Sequence, residues 1–340
     1  MLYFINMRKK IRKVKSKNKI LTSLKDRRLK FKSNFALAGY FLGFIFLVII
    51  ISGLWQWRSN SLWLDNSQIN FVTEYNNNFS IIKLDKNLEE VMVVNLPSNM
   101  MIGVTDGYGE YKLNKIKELF NQEKINLGEY LKDSVTIYFG VLIDGYFVNI
   151  EEDNFNIKRF IKKSFFKINK TNINRIDLAI LYFYLNNLGV ENFKTINLIE
   201  TNLIDLEKLS DDSEVYRFNE VYFDDYVLRN FANYEVLKDS SNWEVFNGTD
   251  YVGFGSQIGR VLSNTGLNVV GVRQAKDNYK ESFILVKDDY AQNYSVEKIA
   301  KYLRIPIRKL GEVNDFKEEL FNDRAEVAMI IGEDLGERIN

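Results

Sequence analysis

Residues 35–57, FALAGYFLGFIFLVIIISGLWQW, run without a single charged side chain. As a helix rising about 1.5 Å per residue, this stretch reaches roughly 34 Å, enough to cross a hydrocarbon core of about 30 Å with some tilt. Its flanks set a direction. Residues 1–34 hold thirteen Lys or Arg against one acid, Asp26, a net charge of +12; the whole chain is +1, which leaves −11 for residues 35–340. Basic flanks stay in the cytoplasm, so the expectation is a cytoplasmic tail over 1–34, a transmembrane helix over 35–57 and an extracytoplasmic remainder at the cell membrane. Trp55, Trp57 and Trp63 fall at or beyond the exit side, where amphipathic rings anchor among headgroups. A cleaved signal peptide would carry an apolar region of only about 7–15 residues before a small-residue cleavage site, and neither condition is met. A buried helix of a soluble protein is the plainer alternative. Gly39 and Gly43 make one GxxxG spacing, through which two such helices could approach as a homodimer. The basic tail either binds an anionic leaflet or only sets topology.

Absent residue types exclude much of the remaining chemistry. With no Cys there is no disulfide framework, thiolate nucleophile or Cys-ligated metal, and an exported body must hold by packing alone. With no His there is no Ser-His-Asp machinery, His-ligated zinc or histidine switch. Catalysis would be left to carboxylates, Lys, Arg, Tyr or a hard cation held by oxygen.

The rest of the chain reads as a linker over 58–77 and two extracytoplasmic α/β sandwich domains, 78–240 and 241–335. FSIIKLD (79–85) and EVMVVNL (90–96) are expected strands closed by a polar turn. A Gly-rich turn at Gly107 and Gly109 leads into a helix, and VTIYFGVLI (135–143) has the length and apolarity of a third strand. Asn174 to Leu188 reads as a helix, with Asn174 and Asp177 spaced as a capping box and Gly189 as its stop. TINLI (195–199) is a further short strand. Beyond a boundary near 236–242, strands at 243–247, 267–272, 282–286 and 326–332 alternate with helices at 256–264 and 296–303, a pattern that packs helices against one sheet.

Between the strand at 243–247 and its helix lies NGTDYVGFGSQIG. The spacing of Gly248, Gly253, Gly255 and Gly259 invites a dinucleotide reading, but no acid ends the next strand and too little chain follows for the full fold. A helix N-terminus there could hold an anion; tight-turn packing is the plainer use. Asn247-Gly248-Thr249 is formally a glycosylation sequon that a strand-to-helix turn also explains. The pairs Asp211-Asp212, Asp224-Asp225 and Asp288-Asp289 could contribute to a magnesium site or be solvated loops.

At this turn the chain resembles the C-terminal LytR domain found with LytR-CpsA-Psr proteins of the bacterial envelope. The shared features are Val245, Asn247, Gly248, Thr249, Gly253, Gly255 and Gly266, with VAMIIGEDL near the end, over about residues 241–335. A second likeness covers roughly 78–150: two strands, Pro97, a GYG turn, Lys112 with Asn114, then VTIYFGVLIDGYF follow the layout of the catalytic LytR-CpsA-Psr domain. That resemblance implies transfer of glycopolymer from a polyprenyl-pyrophosphate carrier to peptidoglycan, using Arg residues, an acid and magnesium. Here Ser98-Asn99 stand where the family has Arg-Asp, which removes a guanidinium and a metal-binding carboxylate from the pyrophosphate site. Lys112 and Arg175 are the remaining candidate phosphate contacts.

Two functions follow from different classes. One is a non-catalytic anchored envelope protein, with no cofactor, that binds or organises peptidoglycan, glycopolymer or other envelope proteins. The other is a divergent phosphotransferase that would need magnesium. Convergence of Lys112, Arg175 and acids on one apolar groove would favour the enzyme. DNA binding is disfavoured, because the acidic outer portion would repel a polyanion.

Overall fold

The computed structural model describes residues 43–48, 51–53, 55–58, 61–105, 107–123, 125–152, 155–166, 170–287, 290, 292–312 and 324–339. They belong to two compact units, one ending at Ser61 and the other beginning at Leu62. In the first, residues 43–48, 51–53 and 55–58 are helical and expose large apolar side chains, Phe44, Phe46 and Trp55 among them. No helix among the described residues is long and apolar enough to cross a membrane. The basic tail, Gly39 and the remainder of the apolar run lie outside the described residues.

The second unit opens with a short helix, α1 (Leu62–Asp65), and an antiparallel meander of β1 (Gln68–Tyr75), β2 (Asn78–Asp85) and β3 (Glu90–Leu96). Gln68 faces Asp85 across the first pair and Phe79 faces Leu96 across the second. Strand β1 corrects the expectation of a linker through residue 77. Every residue of QINFVTEY is buried, so the strand lacks the alternation that marks a half-exposed one. Its polar members are satisfied inside: Asn70 donates to the Leu142 carbonyl at 2.9 Å, and Glu74 accepts from the Asn149 amide at 2.7 Å and Lys117 at 3.1 Å.

A hairpin of β4 (Met101–Val104) and β5 (Gly109–Lys112) follows, its turn relying on positive φ at Gly107 and Gly109. Then come α2 (Leu113–Glu123), α3 (Leu127–Phe139), β6 (Gly145–Ile150), α4 (Ile157–Phe166), α5 (Arg175–Asn187) and β7 (Phe193–Asn197). A second hairpin, β8 (Ile204–Lys208) with β9 (Glu214–Phe218), leads to α6 (Glu220–Phe231) and α7 (Tyr234–Leu237). The first sheet has the order β6-β1-β2-β3-β7, with both outer strands parallel to their neighbours.

The expected strand over 135–143 is instead the end of α3, a left-handed turn at Gly140 and an extended connection. Its apolar run is continuous because two cores use it: Val135, Phe139, Val141 and Ile143 enter one, while Leu142, with Ile137 against it, enters another. Continuous apolarity without a period does not separate strand from buried helix. On α5 the Asn174 side chain caps the Asp177 amide at 2.8 Å, as the capping-box spacing predicts. Gly189 does not supply a left-handed stop; its φ is −73° and the helix ends on extended Leu188.

The first sheet is covered on both faces, so this part is a three-layer arrangement rather than a sandwich of helices on one side. Val72, Ile81 and Val94 meet α2, α3 and α6 on one face; Phe71, Ile82 and Val93 meet α4 and α5 on the other.

The second sheet is built from β10 (Asn242–Asn247), β11 (Asn268–Gln274), β12 (Phe283–Val286), β13 (Ile307–Lys309) and β14 (Val327–Ile331), in the order β11-β10-β14-β12-β13. The last strand in sequence thus sits in the middle, parallel to β10 and antiparallel to β12, and is wholly buried. Helices α8 (Phe254–Thr265), α9 (Tyr294–Leu303) and α10 (Glu333–Ile339) pack on one face around Trp243, Ile258, Ile299 and Leu335. The chain is a mixed α/β protein.

Gly332, just past β14, is fixed by packing: a Cβ there would lie 2.6 Å from the Glu281 carbonyl carbon. Gly332→Ala should therefore cost about 1–3 kcal/mol through overpacking against backbone. Gly103→Ala, whose Cβ would meet only the Tyr138 ring at 3.6 Å, should stay within roughly 0.5 kcal/mol of the parent. Urea unfolding of the two variants checks the difference, and equal midpoints would refute it.

Candidate functional site

The corner where β5 meets β9 holds the residues that follow Pro97. Ser98 accepts from the Asn114 amide at 2.8 Å, and Asn99 is bound twice to β9, accepting from the Tyr216 amide at 3.4 Å and donating to the Glu214 carbonyl at 3.2 Å. Lys112 ends β5, and its ammonium donates to Ser213 Oγ at 3.0 Å. Asp211 beside it is held below the usual carboxylate range, first by hydrogen bonds from Ser213 and less by the charge of Lys112. Arg217 on β9 grips Glu110 in a two-pronged pair at 2.7 and 2.9 Å and Glu207 at 2.6 Å. The Arg217 hydrogen bonds hold the Glu110 carboxyl low. Asn114 Oδ1 is buried here without a hydrogen-bond partner among the described residues.

Arg175 does not join this corner. It is the exposed first residue of α5, in the layer on the opposite face of the first sheet. Nor do the acid pairs assemble a cation site: Asp212 pairs with Lys208 at 2.7 Å, Asp225 with Arg229 at 2.9 Å, and Asp224 with Arg260 at 2.7 Å. Asp288-Asp289 lies outside the described residues. No group of three potential metal ligands occurs among the described residues.

The turn after β10 spends its polar groups on itself. Asn247 Oδ1 accepts from the Thr249 hydroxyl at 2.8 Å and its amide at 3.2 Å, while Asn247 Nδ2 donates to the Tyr251 carbonyl at 2.9 Å. Gly248 passes so close to β14 that a Cβ would sit 2.8 Å from the Ile331 carbonyl oxygen. Gly255 brings α8 against Asn247 at 3.0 Å, and Gly253 starts the helix at φ +84°. With Asn247 and Thr249 both buried, the sequon geometry is that of a packed turn.

Sequence reasoning missed a cleft of about 410 Å³ between α3 and the helices α9 and α10, in the size range of small-ligand sites. Tyr130, Lys132 and Asp133 come from α3; Tyr302, Arg304 and Arg338 come from the second sheet's helices. Lys132 bridges Glu129 at 3.1 Å and Asp133 at 3.6 Å. Burial pushes the Asp133 carboxyl up, against the pull of Lys132 and Arg338. The Tyr302 hydroxyl bonds Thr136 Oγ1 at 2.7 Å and accepts from the Ile143 amide at 3.2 Å, and burial drives its pKa up strongly. The two walls are more than 150 positions apart in the chain, and no local pattern connects them.

Deeper in the same joint, Asp144 and Lys298 face each other. Asp144 accepts from the Asn70 amide at 2.8 Å, and Lys298 donates to Asn66 Oδ1 at 2.6 Å. Burial raises the Asp144 pKa despite Lys298 and lowers the Lys298 pKa despite Asp144. Desolvation therefore outweighs attraction for both charges.

The sequence matches no known family profile and no curated protein. Among solved structures it is similar to Bacillus subtilis TagT, with 8% identity and a TM-score of 0.36 over 49% of this chain and 91% of that one. It is also similar to YwtF (TagT), a LytR-CPS2A-psr family protein with bound octaprenyl pyrophosphate lipid, with 9% identity and a TM-score of 0.34 over 47% and 87%. A third is the gbs0355 protein of Streptococcus agalactiae, with 10% identity and a TM-score of 0.34 over 47% and 85%.

Because native Asp144 keeps its proton to higher pH than an unfolded carboxyl does, the native state binds more protons across that window, and stability from this group falls as pH rises through it. Urea unfolding of the parent and of Asp144→Asn between pH 4 and 7 should show the parent losing ground to the variant with rising pH. A pH-independent difference would contradict the assignment.

Proposed function

We propose that this chain is a membrane-anchored envelope protein whose outer part binds cell-wall polymer without transferring it. The observation that carries this reading is the separation of the candidate phosphate contacts. Lys112 and Arg175 lie on opposite faces of the first sheet, and the guanidinium of Arg217, on the strand that binds Asn99, is shared between two carboxylates. A transferring site must aim donors at developing charge on the diphosphate. Engaging Arg217 would mean breaking its bonds to Glu110 and Glu207 first.

The cleft beside α3 is the seat assigned to polymer. It offers two tyrosines and charges of both signs, chemistry suited to a polar chain carrying hydroxyls and phosphates. Anchoring rests on the charge-free run at 35–57, the basic residues before it and the exposed apolar side chains of the helical residues within it.

The full chain in detergent, mixed with isolated wall material and with polyprenyl-linked glycan, should bind wall material saturably, with magnesium present or chelated, and release no transferred product. The paired variant Arg304→Ala/Arg338→Ala should weaken binding about tenfold, the equivalent of about 1.4 kcal/mol. Magnesium-dependent transfer of labelled glycan would replace this reading with the phosphotransferase, and undiminished binding by the variant would remove polymer from the cleft.

A further inference from the structure

The outward face of α4 and α5 has no structural task in the fold. Helix α4 turns Ile157, Phe160, Ile161 and Ser164 inward, and α5 turns Leu178, Leu181 and Leu185 inward. At 100° per residue the opposite side of α4 presents Arg159, Lys162 and Phe166, and that of α5 presents Ile176 and Phe183 with Ile180 beside them. Phe166 is 77% exposed, Phe183 68% and Ile176 42%. The face is thus apolar and aromatic along one helix and basic along the other.

The helix dipole does not explain those charges. Lys158 and Arg159 lie in the first turn of α4, and Arg175 is the first residue of α5, ends at which the helix dipole disfavours cations. Arg159 and Lys163 share Glu152 at 3.3 and 2.8 Å. Lys158 is half-buried with its ammonium over the Phe193 ring at 6.0 Å, whereas exposed Lys162 and Arg175 have no carboxylate within ion-pair distance among the described residues. Glu151 and Glu191 border the face and are exposed.

The start of the unit is pinned to this same layer. The Leu62 amide donates to Asp177 Oδ2 at 2.7 Å, and the Trp63 ring meets Tyr184 edge-on at 5.0 Å.

We infer that the α4–α5 face rests on an anionic lipid surface, with Lys162 and Arg175 against headgroups and Phe166, Ile176 and Phe183 in the interfacial region. The inference depends on the anchored reading of residues 35–57. Basic side chains beside exposed aromatics are the composition that binds such a surface.

The absence of Cys makes the test direct. A single cysteine replaces Asn187, an exposed residue on the same face, or Val252, fully exposed on the turn after β10. Each labelled full chain is reconstituted in nanodiscs of phosphatidylglycerol and phosphatidylcholine containing headgroup-quencher lipid. Quenching at position 187 should exceed that at 252 by about threefold or more, and should fall by about fivefold on Lys162→Glu/Arg175→Glu or in pure phosphatidylcholine. Equal quenching at the two positions overturns the inference, as does label contact between two copies without lipid quenching. Alkaline extraction of the unlabelled chain from membranes separates the failures: release would sink the anchored reading as well, whereas retention with an unquenched position 187 sinks only the docking face.

Discussion

The second unit depends on one segment being buried from two sides. Helix α3 and the connection after it supply Val135, Phe139, Val141 and Ile143 to the core beneath the first sheet, while Leu142 enters the core of the second. Gly128 lets the Tyr146 ring lie where a Cβ would be 2.1 Å away, and left-handed Gly140 reverses the chain between the two uses. A segment shared in this way couples the two sheets, because repacking one core shifts a neighbour of the other.

Polar groups at this joint reinforce the coupling. Arg260 of α8 holds Asp224 of α6 at 2.8 Å and the Tyr138 carbonyl at the end of α3 at 2.9 Å, under the Phe218 ring. Tyr302 ties α9 to Thr136 of α3. The cleft proposed to seat polymer opens beside these contacts, so its walls come from elements already fixed by packing, the arrangement a binding site needs to keep its shape. The corner after Pro97 is different: Arg217 is bound to Glu110 and Glu207, and Lys112 and Asp211 to Ser213, so a new ligand there would compete with bonds already made.

How far the sequence could be read depended on whether local pattern and final environment agreed. The hairpin of β2 and β3, the cap at Asn174 and the alternation of strands and helices after residue 242 were legible, since turn residues and apolar runs act over a few positions. Strand β1 was hidden by its buried polar residues, among them Asn70 and Glu74, whose partners Leu142, Asn149 and Lys117 lie 43 or more positions away. The strand expected at 135–143 failed for the reverse reason, its apolar run being a helix end and a connection shared between two cores.

The sequence by itself determined the absence of thiol and imidazole chemistry, the charge step around residues 35–57 and the mixed α/β character, because each is a matter of composition or short-range period. Only the tertiary structure decided that Lys112 and Arg175 stand on opposite faces of a sheet, that Asn247 and Thr249 close on each other, and that Asp133 and Arg338 share a cleft. Those are distances between residues far apart in the chain, set by which apolar faces bury against which, and spacing along a sequence carries no measure of them.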